Sequence, residues 1–423
     1  MEHSLNPHFP STVGIIAEYN PFHNGHAYQI KRARELTGAK FCVVVMSGDF
    51  VQRGCPAIFD KYARTKMALA SGADLVLELP PAFAVSSAED FAACGAAILD
   101  RLQVVSHLCF GSECGDIEPL KKIADILWNE TEEFQNALKE SLKLGLTFPE
   151  ARTRALEKLS DSELSSLLSS PNNILGVEYL KALLRRNSAL LPVTLKRLGS
   201  DYHDTALSSS ENASCFSSAQ AIRNALKESK DPVYHSLKSQ VPDPVWEMIS
   251  STTPLFLDDF SALLSYRILE LEHQNTNFQI FCGFSEELAR RLKRQNLRFS
   301  SFEERIQDLK TRQYTYTRVS RSLIHLLLHI TKEDILFRKK HDYISYFRIL
   351  GFRKEATPLL TQIKKAADLP LITKTADAAD ILSPKALKEF EQDLFCSHVY
   401  QSVLAQKYGA CEKNEYTRSL VIL

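Results

Sequence analysis

The sequence predicts an α/β protein: a Rossmann-like, doubly wound parallel sheet, followed by a mostly helical C-terminal domain. Three observations predict it. Up to about Ser200, short β-rich apolar runs alternate with longer helical segments; beyond about Pro232, apolar residues recur at helical spacing; and 423 residues exceed one average domain.

The elements follow in order. Val13-Gly-Ile-Ile-Ala17 reads as a first strand, Ala27 to Leu36 as a helix and Phe41-Cys-Val-Val-Val-Met46 as a second strand. Asp60 to Ser71 reads as a helix, Asp74-Leu-Val-Leu-Glu-Leu79 as a strand, Ala88 to Leu102 as a helix and Val104 to Phe110 as a strand. Continuous apolar runs, unlike alternating ones, mark strands covered on both faces, and the helices between them make the crossovers of a parallel sheet. Such a sheet binds ligands beyond the carboxyl ends of its strands, so the loops after Ala17, Met46, Leu79 and Phe110 are where chemistry belongs. Phe260 to Leu271, Arg318 to Ile330 and Ala386 to Ala405 have helical period. The charged stretch Lys227 to Pro232 is the best border, which divides the chain into residues 1–230 and 231–423.

Composition narrows the class. The chain is 44% apolar and 24% charged, with 51 basic residues balancing 51 acidic ones, and no apolar run reaches the roughly 20 residues of a bilayer span. Met1 to Ser11 hold no basic-apolar secretory segment, so a soluble protein with a cytoplasmic address is expected and no membrane partner. The nine cysteines, an odd number without a C-x-x-C pair, read as reduced thiols with no disulfide-linked partner. No zinc-type ligand set is visible, and no protein-bound metal is expected.

The first strand runs into Glu18-Tyr-Asn-Pro-Phe-His-Asn-Gly-His26, and a helix follows at once. A strand-to-helix loop presents unpaired N–H groups and the positive end of the helix dipole, an anion site. Gly25 admits close backbone approach, and His23 and His26, one turn apart, project from one side. Two imidazoles donating N–H bonds to the α-phosphate of a nucleotide would stabilise the charge that builds when that phosphorus is attacked. Ser217 and Ser218, in Cys215-Phe-Ser-Ser-Ala-Gln-Ala-Ile-Arg223, are N-cap residues able to meet a phosphate, with Arg223 adding a fixed charge. An ordinary helix cap is the bland alternative. Ser47 and Asp49 follow the second strand; they could orient an acid or an amine, and Asp49 could instead hold Mg²⁺ or cap a turn.

His23-Asn-Gly-His26 is similar to the HIGH-type motif of the nucleotidyltransferase and class I aminoacyl-tRNA synthetase superfamily, whose members cleave ATP or CTP between the α and β phosphates. The longer pattern resembles the bacterial tRNA(Met) cytidine acetate ligases. It comprises Gly14 to His26, Val45-Met-Ser-Gly-Asp-Phe50, Gln52-Arg-Gly54, Arg64-Thr-Lys66, Gly72-Ala-Asp74, Phe110-Gly-Ser-Glu113, Pro171 to Tyr179 and Leu195 to Asp204. The resemblance implies an enzyme that activates acetate with ATP as acetyl adenylate and passes the acetyl group to N4 of the wobble cytidine of elongator tRNA(Met). ATP is then a co-substrate, with Mg²⁺ accompanying it. It also implies an ATP site made of Ile16, Ala17, Glu18, Tyr19, Asn20, Pro21, Phe22, His23, Asn24, Gly25, His26, Ala27, Tyr28 and Gln29, joined by Gly111, Asn172 and Arg197. Physically, Gly111 lets the nucleotide pack on backbone, Asn172 offers an amide to base or ribose, and Arg197 a fork for phosphate. Cys55 departs from the family pattern, which has a carboxylate there.

Charge is distributed unevenly. Glu286 to Glu355 holds 17 Lys or Arg against nine Asp or Glu, a net of +8, with clusters Arg290, Arg291, Lys293, Arg294 and Arg338, Lys339, Lys340. Tyr314, Tyr316, Tyr343, Tyr346 and Phe347 are interleaved. Clustered cations gain from counterion release at phosphates and aromatic rings stack on bases, so this stretch is expected to hold tRNA; a solvated helical face over core tyrosines is the alternative. Two other functions stay open: an adenylyltransferase or pantothenate-like synthetase acting on a small molecule, and a silent RNA-binding protein with a nucleotide fold.

Overall fold

The computed structural model describes residues 10–159, 162–197, 216–228, 235–409 and 413–423. Of the motifs above, Cys215, residues 198–204 and most of the border stretch lie outside these.

Five parallel strands form the sheet's centre: β1 (Thr12–Ala17), β2 (Phe41–Ser47), β3 (Leu75–Leu79), β4 (His107–Ser112) and β5 (Leu191–Lys196), in the order β3-β2-β1-β4-β5. All seven residues of β2 and all five of β3 are buried, as continuous apolar runs require when both faces are covered. Alternate residues go to opposite cores. Val13, Ile15, Cys42, Val44 and Met46 pack beneath α1 (Asn24–Thr37) and α2 (Lys61–Ala70). Ile16, Val43, Val45, Leu75 and Leu77 pack beneath α3 (Ala88–Arg101) and α4 (Pro171–Arg186). Glycines bring α3 down onto β1: a Cβ on Gly14 would stand 2.7 Å from Leu99, and one on Gly95 2.7 Å from Ile16. The strand order reverses direction at β1/β4, and at this switch point the crevice of a doubly wound sheet opens.

The second half is mostly helical, as expected. Residue 230 is nevertheless not a border of the sheet. Strand β6 (Phe347–Phe352) pairs antiparallel with β3, and β7 (Leu371–Ile372) and β8 (Val421–Ile422) each pair parallel with β6. The stretch at 347–352 did not read as a strand because it carries Arg348. That charge is buried yet neutralised from two remote segments, with Nε 3.2 Å from Glu78 and Nη2 2.5 Å from Glu415.

Candidate active site

At the switch point a cleft of about 360 Å³ is lined by the end of β1 (Ile16, Ala17, Glu18), by Tyr19, Asn20, His23, His26 and Gln29, and by Gly111 at the end of β4. Pro171 and Asn172 from the start of α4 and Arg197 after β5 complete one wall; Ser218, Gln220 and Arg223 bound another. A recess of about 60 Å³ shares both imidazoles and adds Gly25, Tyr28 and Ser217. A larger hollow of about 500 Å³ lies on the outer side of α4, lined by Leu180, Leu183, Leu184 and Leu190 with Lys121, Lys122 and Asp125. Neither imidazole lines that hollow.

The imidazoles build their own helix cap. His23 is the N-cap of α1; its Nδ1 accepts from the Gly25 amide at 3.0 Å, and Nδ1 of His26 accepts from the His23 amide at 3.3 Å. The rings stack with centroids 3.7 Å apart, and Tyr19 packs edge-on to His26 at 4.8 Å. Since both Nδ1 atoms accept, each ring carries its proton on Nε2. Burial, then the cations Arg197 and Arg223, lowers the His23 pKa to about 3; burial, then His23 and Arg197, holds His26 well below its ordinary value. The site therefore offers two neutral Nε2–H donors at physiological pH. Gly25 is required at the turn because a Cβ there would stand 2.9 Å from Cε1 of His23.

The backbone amides of α1, expected to meet the phosphates, are already engaged: Asn24 N–H donates to Gln240 O at 3.1 Å and Gly25 N–H to the His23 ring. The amides of α4 are engaged as well, for the Glu113 carboxylate accepts from Asn172 N at 3.2 Å and Asn173 N at 2.8 Å. Glu113 also holds the Asn172 side-chain amide at 2.6 Å, and Asn172 Oδ1 accepts from Arg197 at 3.5 Å. Ser218 caps α5 (Ala219–Glu228), its Oγ accepting from Ala221 N at 3.1 Å. Arg223 ties α5 to the first loop by donating to Asn20 O at 2.5 Å.

Several expected residues stand elsewhere. Pro21, Phe22, Asn24 and Ala27 line neither part of the cleft. Phe22 is core, and the Asn24 side chain donates to Ser239 O at 2.9 Å. Ser47 and Asp49 are buried away from the cleft. Of the roles weighed for Asp49, the cap is the one its contacts match: Oδ1 accepts from Lys61 N at 2.9 Å, at the start of α2. Burial pushes its pKa up to about 6, although Lys61 Nζ lies 3.9 Å away. Conversely, Gln52, Arg53, Phe91, Tyr179 and Gln220 line the cleft without having been singled out. The signal for the first two was present in Gln52-Arg53-Gly54.

The basic stretch divides. On α6 (Glu286–Lys293) and its end, Arg290, Lys293 and Arg294 are exposed, while Arg291 is half-buried and donates to Asp308 O at 3.2 Å. On α7 (Lys332–Lys340), Arg338 is buried and paired with Asp393 at 2.9 Å, so it belongs to the core; Lys339 pairs with Asp90 at 2.6 Å, and Lys340 is exposed. Tyr314, Tyr343, Tyr346 and Phe347 are buried, and the core alternative holds for these four rings.

A family model described as HIGH nucleotidyl transferase matches residues 11–415. This chain belongs to the HIGH nucleotidyl transferase family. Among relatives of this HIGH nucleotidyl transferase, a tRNA(Met) cytidine acetate ligase of Acetivibrio thermocellus is 38% identical over 97% of this chain and 99% of its own length. One of Thermoanaerobacter sp. (strain X514), named likewise, is 40% identical over 97% and 99%. The crystal structure of Thermotoga maritima TmcAL in its apo form superposes with a TM-score of 0.87 at 33% identity, covering 98% of this chain and 99% of that one. TmcAL bound with alpha-thio ATP matches equally, with a TM-score of 0.87 at 32% identity and the same coverage.

Proposed function

We propose that this HIGH nucleotidyl transferase is an ATP-dependent tRNA(Met) cytidine acetate ligase. The observation that carries the reading is the stacked pair of neutral imidazoles that line the switch-point cleft; the relatives' names supply acid and acceptor. His23 and His26 donate to nonbridging α-phosphate oxygens of ATP and stabilise the charge that grows there. An acetate oxygen bonds to the α-phosphorus as the α–β bridging P–O bond breaks and pyrophosphate leaves. N4 of the tRNA cytidine then attacks the acetyl carbonyl, the bond to the phosphate oxygen breaks, AMP departs and the amine loses a proton. Gly111, Asn172, Arg197, Ser217, Ser218 and Arg223 frame the nucleotide. Ser47 and Asp49 take no part in these steps.

Mg²⁺ enters this reading only as a counterion travelling with ATP. Among the described residues no group of three His, Cys, Asp or Glu could hold a metal, and the Glu18 carboxylate accepts from the Gln52 amide at 2.8 Å. No step is routed through it. Residues 231–423 are proposed to supply the tRNA surface, through Arg290, Lys293, Arg294 and Lys340. No helix among the described residues is long and apolar enough to cross a membrane, which accords with a cytoplasmic site of action on elongator tRNA(Met).

The test is pyrophosphate release by the purified protein with ATP and acetate, with and without unmodified elongator tRNA(Met), followed by nucleoside mass analysis. Acetate-dependent release and N4-acetylcytidine at the wobble position are expected. Release without any acetate dependence, or an unmodified tRNA, would overturn the reading.

A further inference from the structure

Most residues proposed to frame the nucleotide stand on one side of the cleft, and only Glu18 and Arg223 reach across to the other. In the sheet, β2 flanks β1 on one side and β4 and β5 on the other. Gly111, Asn172 and Arg197 thus gather on the β4/β5 side, and the segment following β2 belongs to the opposite one. That segment is a hairpin in which Phe50–Val51 pairs with Cys55–Pro56, its turn closed by Gly54 N–H to Val51 O at 2.9 Å.

Three contacts fix the turn. Glu18 accepts from Gln52 N at 2.8 Å, Gln52 Nε2 donates to Ser86 O at 3.2 Å, and Ser320 Oγ donates to Gly54 O at 2.6 Å. Gly54 has φ +78°, and a Cβ there would stand 2.4 Å from the Arg321 backbone nitrogen, so only glycine lets the turn press against the helix Tyr316–Leu327. Arg53 is therefore carried on a rigid tip, and it lines the cleft.

Charge and shape agree on what this tip meets. Among the described residues, Arg53, Arg197 and Arg223 line the cleft against one carboxylate, Glu18. Val51, Cys55, Ala88 and Phe91 supply uncharged lining of the cleft, while the Glu18 carboxylate and the Arg223 guanidinium are the charges that act on Arg53. Burial pushes the Cys55 thiol up to about 11, so it stays neutral and serves as a wall rather than a nucleophile. Resting on the ligase reading, we propose that this end of the cleft is the acid subsite: Arg53 binds the carboxylate, and Val51, Cys55, Ala88 and Phe91 limit the alkyl chain to the length of acetate.

The experiment measures pyrophosphate release by the full-length enzyme with tRNA(Met), varying acetate, propionate and ATP separately. Arg53→Gln is expected to raise KM for acetate about tenfold, with KM for ATP changed less than about twofold and turnover restored at saturating acetate. Arg53→Lys, which keeps the charge, should lie between and serves if Arg53→Gln does not fold. Cys55→Ala should shift preference toward propionate about tenfold, the worth of a methylene in an apolar pocket. An unchanged KM for acetate, an equal rise in KM for ATP, or an unaltered acid preference in Cys55→Ala would overturn the subsite. A wild-type enzyme without acetate-dependent release would instead remove the ligase reading, and this subsite with it.

Discussion

At the scale of residues, burial keeps His23 and His26 neutral, the state that the proposed donation to ATP requires. The same burial has a consequence for stability. A histidine whose pKa falls from 6.5 to about 3 on folding leaves the unfolded chain binding the proton first, so stability falls as pH drops from about 6.5 toward 3. His23→Asn should show a shallower loss between pH 7 and 5 in urea denaturation midpoints; an unchanged slope would contradict the assigned protonation. His23, Gly25 and His26 were legible because a strand-loop-helix pattern in the first βα unit prescribes where they stand, whereas Gly111, at the end of β4, came from the family resemblance. Arg338 was not. Arg338-Lys339-Lys340 reads as one cluster, yet Arg338 faces Asp393, 55 positions away, and nothing local announces a buried partner.

At the scale of elements, the first turn of α1 holds both the cap and the proposed chemistry. Most helices among the described residues are capped by Ser, Thr or Asp, as at Ser87, Thr131 and Asp116, whereas α1 is capped by an imidazole. Gly25→Ala separates the two roles. Alanine favours the helix by up to ~1 kcal/mol over glycine, but displacing the His23 cap costs about as much, so thermal stability should change little. Its Cβ would displace the His23 ring, so pyrophosphate release should fall more than about tenfold, the cost of roughly an ångström of misplacement. Unchanged activity would show that ring placement does not matter. The strands β1 to β4 were legible from continuous apolar runs; β5, of which only Leu195 is buried, was not read as a strand, and β6 was hidden by a charge that only the assembled sheet neutralises.

At the scale of the whole molecule, the second half is bound into the sheet by a buried charge cluster. Lys61 Nζ meets Glu78 at 2.9 Å and Glu415 at 3.2 Å, and Tyr62 donates to Glu415 at 2.9 Å. Burial alone would raise the Glu415 pKa, but Lys61 and Arg348 pull it down to about 2. Its contribution is thus complete above about pH 4.5 and is lost as pH falls from there toward 2. Glu415→Gln should cost ~3 kcal/mol at pH 7, because two buried cations lose a partner, and less at pH 3; a neutral effect on the denaturation midpoint would contradict the cluster's role. Surface charge follows another rule. Reversal of Arg290 and Arg294 should weaken tRNA binding most at low salt and flatten its salt dependence, with thermal stability unchanged; equal affinity would move the RNA surface elsewhere.

The central claim is that paired, uncharged imidazoles act on the innermost phosphorus of ATP. Its most direct test is the rate of acetate-dependent pyrophosphate release by His23→Ala, on protein with a wild-type melting temperature. The expected result is a fall of about 100-fold or more; ATP cleavage at the wild-type rate would remove His23 from the chemistry.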